Sequence, residues 1–177
     1  MEHRIVFAGF GGQGVLSMGM LVAYAGMIEG KEVSWLPSYG PEMRGGTANC
    51  NVIVSDAPVS SPIVTVPTAA VVMNRPSLDK FGPLVEKGGI LLVNSSLIDI
   101  KSDRTDIDVF YVPANDVAAG LKTPRAANMV MLGAFLKTTG AVSPKSVMDS
   151  FLQVMGENKA SLIPINEKAL EAGLNAV

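Results

Sequence analysis

The segment that most constrains the fold of this chain is GFGGQG, at residues 9–14. It follows an apolar run at residues 4–9 and precedes a helical pattern at residues 13–29, so it matches G-x-G-x-x-G in a strand–turn–helix context. Glycines in such a turn let the backbone approach a ligand, and the helix start offers free N–H groups to an anion. The pattern predicts either a binding loop or a tight turn needed only to pack the strand against the helix.

Strand and helix patterns alternate along the rest of the chain. Further strands are predicted at residues 32–36, 47–54, 69–73, 89–94 and 109–112, and further helices at residues 76–85, 125–139, 144–155 and 166–172. Gly30 is expected to end the first helix, and Ser143 to cap the helix that begins at Pro144. We expect one domain over residues 1–177, with a Rossmann-like layered α/β/α fold and a mainly parallel sheet that starts with a right-handed βαβ unit.

The composition excludes several classes of protein. Only 17% of the residues are charged, against about 25% in typical soluble domains, which favours surface buried against partners, although a well-filled core would give the same composition. A net charge of −2 gives no electrostatic footprint for nucleic acid. No apolar run reaches the ~20 residues that span a bilayer, and the N-terminus leaves no room for a signal peptide, so a cytoplasmic protein is expected.

Residues that hold metals or act as nucleophiles are scarce. The single Cys50 excludes an internal disulfide, and it excludes an iron–sulfur cluster held by this chain alone, which takes about four Cys ligands. Cys50 lies in an apolar strand pattern and is predicted to be an inert core thiol. The lone His3 argues against a zinc site and against a Ser–His–Asp triad. No catalytic residue and no metal ligand is therefore predicted on this chain.

The glycine segment lacks the rest of a dinucleotide fingerprint. A nicotinamide site takes an acidic residue at the end of the second strand, but Glu29 and Glu32 come too early for that role. A second loop, SYGPEMRGG at residues 38–46, follows that strand. In parallel α/β sheets such loops converge at one edge, so Arg44 is placed to approach a phosphate held by the glycine segment. The alternative is an ion pair of Arg44 with Glu42 or with a carboxylate of a neighbouring subunit.

Together these two loops resemble the gamma subunit of 2-oxoacid:ferredoxin oxidoreductases. The likeness continues nearly to the end of the chain, through SPIV at 61–64, GGILLVN at 88–94, VPA at 112–114, ANMVMLGA at 127–134, IN at 165–166 and ALEAG at 169–173. One departure is Thr68, where the family commonly has an acidic residue. The resemblance implies oxidative decarboxylation of a 2-oxoacid to an acyl-CoA, with electrons passed to ferredoxin. 2-Oxoglutarate is the first expectation for the 2-oxoacid, and a branched-chain 2-oxoacid or pyruvate the next.

The resemblance also implies cofactors and partners. Thiamine diphosphate, magnesium and the iron–sulfur clusters belong to thiamine-binding and ferredoxin-like partner subunits, and this chain helps to bind coenzyme A. The implied coenzyme-binding residues are Gly11, Gly12, Gln13, Gly14, Tyr39, Glu42, Arg44 and Gly45. The isolated chain is expected to be inactive and to form a homodimer. A free-standing Rossmann-like nucleotide-binding module and a non-catalytic assembly protein are the alternatives.

Five polar residues need a separate interpretation, two from the implied coenzyme site and three from the last third of the chain. Gln13 offers its amide to a ligand or caps the helix, and Tyr39 stacks on a flat group or packs. Asn128, in an apolar helical segment, is predicted to tie down a neighbouring loop by hydrogen bonds. Arg125 opposes the dipole at that helix start, which indicates a nearby anion or carboxylate, or a merely exposed position. Asn166 is interpreted as a helix N-cap.

Overall fold

The computed structural model describes residues 1–39 and 46–177, and it contains a six-stranded sheet. The strands are β1 (Glu2–Phe10), β2 (Glu32–Tyr39), β3 (Thr47–Ser55), β4 (Ala69–Val72), β5 (Ile90–Asn94) and β6 (Asp108–Val112). Their order across the sheet is β2-β3-β1-β4-β5-β6. Strands β1, β4, β5 and β6 are mutually parallel neighbours, whereas β3 is antiparallel to both β1 and β2. The predicted layered fold with a mainly parallel sheet is confirmed.

Strand β3 lies between the two strands that were predicted to form a βαβ unit. Phe10 pairs with Thr47 and Tyr39 pairs with Ala48, so β1 and β2 run in the same direction on either side of β3. The predicted βαβ unit is therefore present in a split form, in which the parallel strands β1 and β2 are joined through α1 and β3 lies between them. Strands β2 and β3 are joined by a short connection, which is long enough only for an antiparallel pair. The ends of β1 and β2 still meet at one edge of the sheet, as the binding-loop hypothesis requires.

Seven α-helices are described along residues 1–39 and 46–177. They are α1 (Val15–Ile28), α2 (Arg75–Phe81), α3 (Ala114–Gly120), α4 (Ala127–Thr139), α5 (Pro144–Asp149), α6 (Phe151–Met155) and α7 (Ile163–Leu174). Short 3-10 turns occupy Gly82–Leu84, Pro124–Ala126 and Glu157–Leu162. In the described ranges, no helix combines the length and the apolar character needed to cross a membrane.

Apolar side chains cover both faces of the sheet. On one face Ile5 and Phe7 belong to a core shared with α1 and α4, and the Phe7 ring meets Phe135 of α4 edge-on at 5.2 Å between centroids. On the other face Val6 and Ala8 share a smaller core with α2 and the segment between β5 and β6. A strand buried on both faces carries a continuous apolar run, and this explains the sequence of β1.

Several predicted helix ends are confirmed and others are wrong. Gly30, at φ 75°, follows the last residues of α1, and the Ser143 hydroxyl accepts the Ser146 N–H at the start of α5. The predicted helix at 144–155 is interrupted at Ser150, whose hydroxyl donates to the Val147 carbonyl at 2.7 Å instead of pointing outward.

Two further differences between the predicted and the observed helices lie in the C-terminal half of the chain. Asn166 is not an N-cap, because α7 begins at Ile163 and the Asn166 amide donates back to the Leu162 carbonyl at 2.8 Å. Helix α3 was not predicted, since Ala114–Gly120 follows Pro113 without a side-chain cap and carries little apolar periodicity. Both elements depend on their packing against α4 and not on a local signal.

Candidate functional site

The turn between β1 and α1 has the backbone conformation that only glycine adopts without strain. Gly12 has φ 93° and Gly14 has φ 76°, both in the left-handed region. Gly14 is also the N-cap of α1 and provides no side-chain hydrogen bond to the first turn. The first N–H groups of α1 are therefore not satisfied by a capping side chain, which is the arrangement found where a helix start receives an anion.

Gln13 and Gly9 hold this turn in place. The Gln13 amide oxygen accepts the Phe10 N–H at 2.6 Å, and its Nε2 donates to the Met73 carbonyl at 3.3 Å. A Cβ added at Gly9 would lie 2.6 Å from the Gln13 oxygen, so the turn and β1 are in close contact. Both ends of the amide are thus engaged within the protein. Gln13 is not the N-cap of α1, because Gly14 occupies that position.

The glycine turn is hydrogen-bonded to the segment that follows β2. The N–H of Gly11 donates to the carbonyl of Gly46 at 2.8 Å. Gly46 is the last residue of the second loop and immediately precedes β3. The two loops singled out in the sequence therefore meet at the same edge of the sheet.

A cavity of about 270 Å³ opens over the glycine turn. Its described lining consists of Phe10, Gly11, Gly12, Gly14, Val15, Leu16, Ser17 and Ala48. None of these lining residues has an ionisable side chain. An anion in this cavity would therefore be bound by backbone N–H groups and by the Ser17 hydroxyl. A charged partner for a ligand must come from elsewhere in the chain or from another subunit.

The structure places some of the predicted site residues at this cavity and others away from it. Gly11, Gly12 and Gly14 line the cavity, whereas the Gln13 amide faces Phe10 and Met73. The backbone of Tyr39 ends β2 and pairs with Ala48, a residue of the cavity wall. Glu42, Arg44 and Gly45 lie outside the described residues.

Ser17 and Ala48 were not predicted as lining residues. Asn128 was predicted to tie down a neighbouring loop by hydrogen bonds. In the part of the chain that the structure describes, the Asn128 amide makes no hydrogen bond. It lies against Gly14 instead, where an added Cβ would come within 2.5 Å of Asn128 Nδ2. A polar residue in an apolar helix was the available signal, and it indicated a contact but not its partner.

Cys50 is fully buried in β3, as predicted. Burial raises the pKa of its thiol to about 12, and its Sγ lies 3.5 Å from the Val15 carbonyl. Within 1–39 and 46–177, no group of three or more His, Cys, Asp or Glu side chains is arranged to hold a metal ion.

A glycine turn between the first strand and the first helix of a layered α/β fold defines a Rossmann-like domain. The family model for pyruvate ferredoxin/flavodoxin oxidoreductase matches residues 4–176. The chain therefore belongs to the pyruvate ferredoxin/flavodoxin oxidoreductase family.

Relatives and solved structures agree with that assignment. Ketoisovalerate oxidoreductase subunit VorA of Methanothermobacter marburgensis is 44% identical over 97% of this chain and 36% of its own length. 2-Oxoglutarate synthase subunit KorC of Methanocaldococcus jannaschii is 34% identical over 86% of this chain and 83% of its own length. The gamma subunit of keto/oxoacid ferredoxin oxidoreductase from Geobacter sulfurreducens superposes with a TM-score of 0.86 at 29% identity, covering 99% of this chain and 96% of that one.

The chain spans only about a third of the VorA relatives that it matches. It likewise covers 31% of the 2-oxoglutarate:ferredoxin oxidoreductase chain of Magnetococcus marinus, whose fold it shares with a TM-score of 0.88 at 22% identity. That structure was determined with 2-oxoglutarate, coenzyme A and succinyl-CoA bound.

Proposed function

We propose that this chain is the gamma-type subunit of a 2-oxoacid:ferredoxin oxidoreductase and that its glycine turn helps to bind coenzyme A. The complex would convert a 2-oxoacid, CoA and oxidised ferredoxin to an acyl-CoA, carbon dioxide and reduced ferredoxin. The observation that carries the proposal is the uncapped start of α1 beneath a cavity of about 270 Å³, in a chain of this family.

The chemistry of CoA fits this turn. Its diphosphate and its amide-containing pantetheine arm both accept hydrogen bonds, and the free N–H groups at the start of α1 are donors. The apolar walls given by Phe10, Val15 and Leu16 suit the methylene part of the pantetheine arm. Arg44 is proposed to supply the positive charge that the described lining lacks, since guanidinium binds phosphate oxygens as a fork.

The remaining parts of the reaction are proposed for partner subunits. Thiamine diphosphate, magnesium and iron–sulfur clusters would be held there, because this sequence has one cysteine and one histidine. The choice of 2-oxoacid would also be made there, and relatives of this chain carry names from both the ketoisovalerate and the 2-oxoglutarate enzymes. 2-Oxoglutarate remains our first expectation. We further propose that the isolated chain is inactive and pairs with a second copy.

The decisive experiment uses Arg44→Ala in the assembled oxidoreductase. If Arg44 binds a CoA phosphate, the KM for CoA should rise about 10- to 150-fold, since a charged hydrogen bond contributes about 1.5–3 kcal/mol. Decarboxylation of the 2-oxoacid in the absence of CoA should be nearly unchanged, and Arg44→Lys should restore part of the loss. An intact complex with an unchanged KM for CoA would remove Arg44 from the site. A parallel loss of both half-reactions with altered subunit stoichiometry would assign it to an interface.

A further inference from the structure

Helix α1 carries no charged side chain along its 14 residues. A helix on the surface of a monomer normally has charged or polar residues on the side away from the core. Gly19 and Gly26 face the sheet, because a Cβ added at either would meet side chains of β2 and β3. Helices α4, α5 and α6 pack on the flank that carries the buried Leu21, whose carbonyl accepts the Ser150 hydroxyl. The other flank is therefore the part of α1 that a partner could cover.

This other flank of α1 is an apolar stripe made by Met20, Tyr24 and Met27, called the α1 stripe below. Spacings of four and three residues place these side chains on one side of the helix, about 120° away from the glycines that face the sheet. Met20 and Tyr24 are half-buried, and Met27 is 55% exposed. Because α1 lies over β2 and β3 while α4 lies over β4 and β5, the α1 stripe faces outward beside β2.

Strand β2 is the outermost strand on this side of the sheet, and in the described ranges β3 is the only strand that pairs with it. The free edge presents main-chain N–H and carbonyl groups that a further strand can pair with. Pro37 has no N–H, and proline is accepted in a strand where that group would point away from the ladder. Pro37 and the alternate residues Val33 and Trp35 therefore direct their main-chain groups to the free edge.

The charge of the surface formed by the α1 stripe and the β2 edge suits a second copy of the same chain. A twofold axis brings identical surfaces together, so that a charge on them meets a like charge. Glu32 is the only charged residue of β2, and the α1 stripe has none, so this surface avoids that repulsion. A partner selected by opposite charge would instead require charged residues here.

The order of residues along β2 suits the same partner. Ser34, Leu36 and Ser38 lie on one face of the strand and read the same in both directions about Leu36. An antiparallel pair centred on Leu36 places the two Leu36 side chains together, and it removes apolar surface that is 37% exposed in the single chain. Trp35 then lies opposite Pro37 of the second copy, whose carbonyl accepts the Trp35 N–H. The missing proline N–H removes only one hydrogen bond on each side of the axis.

We infer that two copies of this chain join edge to edge through β2 about a twofold axis, with their α1 stripes packed side by side on the same face of the joined sheet. This inference rests on the proposed pairing of the isolated chain and identifies the surface that the pairing uses. Met20 and Leu36 are not among the residues that line the cavity over the glycine turn, so changes at either position leave the proposed coenzyme-binding residues in place.

The first test is disulfide cross-linking of the purified full chain through Leu36→Cys. Residues that face each other in a non-hydrogen-bonded antiparallel pair have Cβ atoms close to the separation that a disulfide needs. Mild oxidation at micromolar concentration should therefore convert most of this variant to a covalent dimer. Ser34→Cys is the matched control, because the two copies of residue 34 lie on opposite sides of the axis, too far apart to be bridged. Cys50 is buried and should not react.

The second test is Met20→Glu, which places a carboxylate within the α1 stripe. Sedimentation velocity should show a dimer dissociation constant raised by more than about tenfold, since burial of an unpaired carboxylate is strongly unfavourable. Leu84→Glu is the matched control, because Leu84 is an exposed apolar residue in the 3-10 turn after α2, and this variant should dimerise as the parent does. Urea unfolding of each variant checks that the chain is folded, and the Leu36→Cys cross-link decides alone if Met20→Glu is not.

A parent dimer that is cross-linked through Leu36→Cys and weakened by Met20→Glu supports the inference. A parent dimer with neither effect overturns the inference and leaves the proposed pairing in place. Cross-linking of Ser34→Cys as fast as that of Leu36→Cys likewise overturns the β2 seam. Cross-linking through Leu36→Cys without weakening by Met20→Glu overturns the packing of the α1 stripes.

A parent chain that is monomeric at micromolar concentration overturns both the inference and the proposed pairing. Weaker assembly of Met20→Glu with the other subunits would then assign the α1 stripe to one of them. Calorimetric titration of the parent chain with CoA judges the coenzyme-binding proposal separately, because neither the cross-link nor the sedimentation measurement depends on CoA.

Discussion

A Cβ added at Gly173 would lie 1.9 Å from the carbonyl oxygen of Val130, so that α7 crosses α4 with backbone against backbone. The contact is mutual, because a Cβ at Gly133 of α4 would come 2.1 Å from the carbonyl of Leu170. Helix α4 lines a cavity of about 460 Å³ together with α1, α6 and α7, and it touches the glycine turn through Asn128. The close approach of α7 therefore helps to hold α4 in the position from which Asn128 meets the glycine turn.

Gly173→Ala is expected to destabilise the protein by about 1–3 kcal/mol, because the methyl group meets backbone atoms that cannot rotate away. The free energy of unfolding is measured by urea denaturation. Gly120→Ala is the control, since a Cβ there has nothing within 4 Å and alanine favours the helix. It should leave stability unchanged or raise it by up to about 1 kcal/mol. Equal effects of the two substitutions would contradict the packing argument.

Gly14→Ala should destabilise the protein in two ways, by backbone strain and by a steric clash, and a second substitution at Asn128 separates the two effects. The positive φ of 76° strains any alanine by about 1–2 kcal/mol, and the new methyl group meets Asn128 Nδ2 at 2.5 Å. In an Asn128→Ala background most of the steric cost disappears, because only the Cβ of residue 128, at 3.1 Å, stays close to the new methyl group, and the backbone cost remains. Double-mutant-cycle measurements by denaturation should therefore give a favourable coupling between the two substitutions. Additive effects would show that the two residues do not press on each other.

Gln13→Leu should lower the free energy of unfolding by about 1–2 kcal/mol, since it removes the bonds to Phe10 and Met73. Gln13→Glu keeps an acceptor for the Phe10 N–H but loses the donor to the Met73 carbonyl, so that it should not restore full stability. Stability and CoA affinity are measured on the same preparations. A Gln13→Leu variant with parental stability but weaker CoA binding would support the ligand role of the amide instead.

Cys50 should resist alkylation in the native protein. Its thiol is buried and its pKa is raised to about 12, so that almost no thiolate is present at pH 8. Iodoacetamide labelling followed by mass spectrometry should show little modification in buffer and complete modification in urea. Fast labelling in buffer would mean that β3 opens readily at the edge beside the glycine turn.

The alternation of strands and helices was readable in the sequence because buried strands and helix caps carry local signals. The run before Gly9, the caps at Ser143 and the stop at Gly30 all depend on residues close together in the chain. Helix α3 and the start of α7 had no such signal, because they are stabilised by packing against α4. The same reasoning explains why Asn166 was misassigned, since its position inside α7 depends on where that helix begins.

For the candidate site, the sequence by itself determined the position of the glycine turn and the family motifs. The turn was recognisable because its positive φ angles, at Gly12 and Gly14, favour glycine so strongly that the residue type marks the conformation. Only the tertiary structure decided that β3 separates β1 from β2, that Gln13 turns its amide into the loop, and that Asn128 meets Gly14. It also gathered Lys122, Arg125 and Lys159 around one cavity. These contacts join residues that are far apart in the chain. They result from strand pairing and helix packing, which no local sequence pattern predicts.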